Sequence, residues 1–160
     1  MPKTSERLQV TTPSDREIMM TRVFDASCAL VFEALTKPEL VKRWLLGPPG
    51  WSMPVCEIDL KVGGAYRYQW RHDSDGRVMG MGGVFREIVP SERLVATEAF
   101  DEAWYPGEVL VTNALAEQGG KTTLTAKVLY ETTEARDLAL KSGMKDGVAM
   151  SYDRLAALLA

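Results

Sequence analysis

The side chains best placed to do chemistry in this sequence are aromatic, with few ionisable groups among them. Tyr66, Tyr68 and Trp70 alternate with Arg67, Gln69 and Arg71, so in an extended chain the three rings share one face. Two readings of that face stay open. It is plain sheet core, or it is the wall of a cavity in which ring edges stack on an apolar ligand and the phenols offer hydrogen bonds. Phe85, Met79, Met81 and Met144 can line the same space, since methionine adapts to irregular shapes but fills ordinary cores as well. Trp51 follows Gly47-Pro48-Pro49-Gly50, and Trp104 precedes Tyr105-Pro106-Gly107. Both are candidates for the mouth of a cavity, or for contact with a protein partner. Trp44 reads as a packing residue. Asn113, on a strand otherwise lined by Val109, Val111 and Leu115, carries an amide that needs a hydrogen-bond partner, which a ligand or a water could supply.

The ionisable inventory is thin by comparison. His72 is the one histidine, beside Asp73 and Asp75. It reads as a solvated turn residue or as a general base paired with a carboxylate. A single histidine rules out a multi-histidine metal site within one chain. Glu57 and Asp59 alternate with Cys56 and Ile58 and should face solvent; Asp101 and Glu102 read as a charged loop. Cys28 and Cys56 lack C-x-x-C spacing and are expected to be reduced, in a cytoplasmic protein. Met79-Gly80-Met81-Gly82-Gly83 lacks the lysine and the following helix of a phosphate loop, and no Gly-x-Ser-x-Gly elbow occurs. No catalytic residue, metal or cofactor is therefore assigned.

The 160 residues are 46% hydrophobic and 26% charged, with a formal net charge of -3, ordinary values for one globular domain. The acidic excess and scattered Lys and Arg argue against nucleic-acid binding. The longest uncharged run, Leu45 to Cys56, holds three prolines and two glycines and cannot be a membrane helix. No apolar leader follows Lys3 and Arg7.

Residues 1–14 read as a tail or a short edge strand at Leu8 and Val10, and residues 15–160 as one domain. Arg16 to Phe24 is a strand with Ile18, Met20, Arg22 and Phe24 on one face. Ser27 caps a short helix whose stripe is Leu30, Val31, Ala34 and Leu35. Thr36 caps a second, Glu39 to Trp44, with Pro38 in its first turn. Strands follow at Val55–Leu60, Ala65–His72, Val78–Val89, Arg93–Phe100, Glu108–Ala116 and Lys121–Tyr130. Asp73-Ser74-Asp75-Gly76 forms a hairpin turn, and Gly80, Gly82 and Gly83 mark a bulge or sharp coil. Thr133 caps a terminal helix, Arg136 to Ala160, with the stripe Leu140, Met144, Val148, Ser151, Leu155 and Leu158. Gly143 and Gly147 should each weaken it by about 1 kcal/mol and point to a kink or a close backbone approach. Without strand–helix–strand alternation the chain is α+β: an antiparallel sheet of about six or seven strands curved around the terminal helix.

In order along the chain, Thr21-Arg22-Val23-Phe24-Asp25-Ala26, Val31-Phe32-Glu33-Ala34-Leu35-Thr36, and Pro38-Glu39-Leu40 leading to Trp44 match one family. So do Val62-Gly63-Gly64 with Tyr66-Arg67, Gly83 to Pro90, Ser142 to Gly147, and Asp153-Arg154-Leu155. Together they resemble the START-like, Bet v 1-type helix-grip superfamily, and within it the Hsp90-ATPase-activator-homologue family. The resemblance implies a cavity between sheet and long helix, closed at one end by the two short helices. It does not imply one function, because the superfamily includes lipid carriers, cyclases, self-resistance proteins and a co-chaperone domain. Many relatives carry tryptophan where Val148 stands, so this chain should have extra space there. The reading favoured is a binding protein for an apolar or amphipathic small molecule, contacted by Trp51, Tyr66, Tyr68, Trp70, Met81, Phe85, Trp104, Asn113, Met144 and Val148. A cyclase- or hydrolase-like enzyme in the same cavity is the alternative, and it requires a titratable side chain pointing inward. A co-chaperone or adaptor is the third. An exposed edge strand or the aromatic loops could support a homodimer.

Overall fold

The computed structural model describes residues 7–102 and 107–160. One antiparallel sheet dominates, with eight strands: β1 (Gln9–Thr11), β2 (Glu17–Phe24), β3 (Trp51–Ile58), β4 (Ala65–His72), β5 (Val78–Val89), β6 (Arg93–Phe100), β7 (Val109–Gln118) and β8 (Lys121–Leu129). Their order in the sheet is β1-β2-β8-β7-β6-β5-β4-β3. Helices α1 (Cys28–Thr36) and α2 (Pro38–Trp44) follow β2, and α3 (Thr133–Lys141) and α4 (Met144–Leu159) end the chain. The edge strand at Val10 is real and pairs with β2; it brings the count to eight.

Alternation decides which face is inside. Ile18, Met20, Arg22 and Phe24 of β2 are all buried, and so are Leu124, Ala126 and Val128 of β8, which pairs with it. Arg22 is the exception in kind. A cation on an inward face needs an anion, and its Nη1 donates to Asp153 Oδ1 of α4 at 2.6 Å. This pins the terminal helix across the sheet.

Several local expectations change. The terminal helix is broken: Gly143 adopts φ +83°, the left-handed region that suits glycine, and separates α3 from α4. The stripe changes with it. Leu140 is 39% exposed, and α3 buries Ala135 and Ala139 instead. Thr132 caps α3 by accepting from Ala135 N, in place of Thr133. Thr36 caps nothing; its hydroxyl donates back to Phe32 O, and Lys37 occupies the cap of α2 without a side-chain bond. In α1 the buried residues are Val31, Phe32, Ala34 and Thr36, while Leu30 is 50% exposed. β3 begins at Trp51, four residues early, because an irregularity between Ser52 and Val55 lets pairing with β4 resume.

The glycine-rich stretch of β5 is not the bulge. The register shift lies downstream, between Phe85 and Glu87. Gly83 answers to close approach: a Cβ there would collide with the Thr97 carbonyl. Among the described residues, no helix is long and apolar enough to cross a membrane.

Candidate functional site

The inward rows of the strands do not close on α4. Between them lies a cavity of about 500 Å³, within the range of small-molecule sites. β4 contributes Tyr66, Tyr68 and Trp70; β5 contributes Met79, Met81 and Phe85; β6 contributes Leu94, Ala96, Glu98 and Phe100. Val111 and Asn113 come from β7, and Met144, Gly147, Val148, Ser151 and Tyr152 from the helical side. Small residues make the room, as Gly143, Gly147 and Val148 predict. Among the described residues, the exposed members of the lining are Pro48, Ser142 and Gly143, which places an opening between the 47–50 loop and the break before α4.

That loop is fastened to α4. Gly47 N donates to Ser151 Oγ at 2.8 Å, and Arg154 Nη1 donates to Gly47 O at 2.7 Å. Trp70 Nε1 donates to Leu45 O at 2.7 Å, and Trp44 Nε1 to Ala34 O at 2.8 Å. These polar atoms are therefore committed to structure. Tyr66 is committed as well, its hydroxyl donating to Thr97 O at 2.7 Å. The rings pack in a chain: Tyr66 lies 5.1 Å from Tyr68, Tyr68 lies 6.0 Å from Trp70, and Trp70 stacks on Phe100 at 6.4 Å.

Four polar groups in the lining are uncommitted. The carboxyl of Glu98, the amide of Asn113 and the hydroxyls of Tyr68 and Tyr152 have no side-chain hydrogen bond to any described residue. Their open surface is cavity surface. Glu98 is the member that sequence reasoning passed over. It stands on the inward row of β6 between Ala96 and Phe100, opposite Val109 of β7. Burial pushes its carboxyl up to about 7. Burial first, and the nearby Glu98 charge second, push the Tyr152 phenol up to about 12 and raise the Tyr130 phenol. For Tyr68 the order is burial, Cys56, then Glu98.

Of the residues singled out from sequence, Trp51, Tyr66, Tyr68, Trp70, Met81, Phe85, Asn113, Met144 and Val148 all line this one cavity. Trp104 lies outside the described residues. His72 does not line it. Its ring meets Trp51 edge-on at 4.9 Å, and its Nδ1 lies 2.9 Å from Ser74 Oγ, so it supports the outer side of Trp51. Asp101 is not a loose loop carboxylate but forms two bonds to the Arg67 guanidinium. Cys56, pushed up to about 11 by burial, is a poor nucleophile. Both cysteines are free.

The family described as "Activator of Hsp90 ATPase homolog 1-like protein" matches residues 25–160. The chain belongs to this family. A crystal structure from Rhodobacter sphaeroides is 33% identical, covers 96% of this chain and 97% of its own, and superposes with a TM-score of 0.90. One from Chromobacterium violaceum is 30% identical, covering 89% and 96%, with a TM-score of 0.77. The AHSA1-like protein from Aeromonas hydrophila, 17% identical over 88% and 93%, shares the fold with a TM-score of 0.70. No curated protein matches the chain.

Proposed function

We propose that this protein binds an apolar or amphipathic small molecule in the cavity between the sheet and α4. The observation that carries the reading is the pairing of a cavity of about 500 Å³ with four lining polar groups that no described residue satisfies. Core packing tends to leave neither large voids nor idle polar groups. Ring and methyl surface supplies affinity at about 25 cal/mol per Å² buried, and the polar groups fix orientation. The two unpaired cysteines suit a reducing compartment, and the reading places the protein in the cytoplasm.

Nile red, a neutral apolar dye, provides the test. The wild type brightens the dye with a saturable curve. Val148→Trp fills the space beside α4 and weakens uptake at least tenfold, while its circular dichroism stays native. An unbrightened dye with wild type, or equal uptake by a folded Val148→Trp, contradicts the reading.

One observation favours a second reading, catalysis in the same cavity. Glu98 puts a carboxyl on the cavity wall, and burial pushes it up to about 7, toward the range a general acid or base uses. Turnover of a bound ligand that is abolished by Glu98→Gln supports it; recovery of the ligand unchanged removes it.

A further inference from the structure

Among the described residues, the cavity is lined by one acidic side chain, Glu98, and by no Lys, Arg or His. The buried cation among the described residues, Arg22, does not line the cavity and is engaged by Asp153 at 2.6 Å. A carboxylate taken from water without a counter-charge is costly, and a ligand that brings the missing cation reverses that cost. Phe100 stands two residues from Glu98 on the same row of β6, Trp70 of β4 stacks on it at 6.4 Å, and Tyr68 meets Trp70 edge-on at 6.0 Å; aromatic faces attract ammonium groups. An acidic ligand meets the opposite: a carboxyl that repels it and, among the described lining residues, no cation to pair with. We propose that the cavity selects ligands with an apolar body and a protonated amine, and that the Glu98 carboxylate is the counter-ion that receives it. This rests on the binding reading above and narrows it to a ligand class. Burial raises the Glu98 carboxyl, as expected where no described cation sits beside it.

Three probes with one ring system separate the possibilities: 2-naphthylmethylamine, 2-naphthylmethanol and 2-naphthoate, each titrated calorimetrically into the intact protein at pH 8. The amine is expected to bind at least tenfold tighter than the alcohol, and the naphthoate more weakly than either. Glu98→Gln, a near-isosteric change, should bring amine and alcohol affinities together. Equal binding of amine and alcohol by wild type overturns the proposal and leaves the binding reading intact. So does an amine preference that survives in Glu98→Gln. Binding of none of the three overturns both.

Discussion

Glu98 has consequences for stability as well as for ligand choice. Folded, its carboxyl keeps its proton up to about pH 7; unfolded, it ionises near its ordinary value of 4.5. Between those limits the folded state binds more protons than the unfolded one, so raising the pH through this window costs stability. The total is at most about 3 kcal/mol at full desolvation, and less where cavity water reaches the carboxyl. The expected outcome is a wild-type melting temperature that falls between about pH 5 and pH 8, and a Glu98→Gln variant that loses most of that fall and is the more stable at the upper end. Identical profiles would mean that the carboxyl is solvated. Glu98 was legible in principle: Leu94, Ala96, Glu98 and Phe100 form one period-two row, and an acid inside an apolar row is a signal. The aromatic row of β4 drew attention because its residue types suggest ligand stacking. A lone glutamate between Ala96 and Phe100 has no such motif, and only the folded sheet shows that its row lines a cavity.

Among the elements, the terminal helices carry the most information. Residues Gly143 and Gly147 look alike in sequence, and the structure gives them different jobs. Gly143 holds φ +83°, so Gly143→Ala is expected to destabilise by about 1 kcal/mol. Gly147 lies in ordinary helical backbone, where an added Cβ would meet Pro48 Cδ at a comfortable 3.8 Å. Gly147→Ala should therefore stabilise by about 0.5–1 kcal/mol through helix propensity, while taking a little space from the cavity. Thermal denaturation of the two variants checks the opposite signs. The strands were readable because inside and outside alternate along them, and Ser27 because its hydroxyl caps the third residue on. The helix break was not, because one glycine in a helical pattern is compatible with both a tolerated weak point and a left-handed stop. Leu140 follows the same logic: a stripe run through one continuous helix includes it, whereas with the break at Gly143 α3 buries Ala135 and Ala139.

At the scale of the whole molecule, the sheet, α4 and the 47–50 loop enclose a space of about 500 Å³. Arg22 with Asp153 ties α4 to β2, and Ser151 with Arg154 ties the loop to α4. Shape is thus fixed by polar ties at the rim, around an interior that protein atoms do not close. The family relation sets this architecture, but the chemistry of the space belongs to residues such as Glu98, Asn113 and Val148. The methionines report on the interior directly. Met20, Met79, Met81 and Met144 line the cavity, whereas Met19 and Met150 do not. In protein labelled with 13C at the methionine methyls, Nile red should shift the four cavity resonances progressively and leave Met19 and Met150 in place. Shifts at Met19 or Met150 with the four interior methyls unmoved would contradict the account, because the dye would then be held on the outside of the fold.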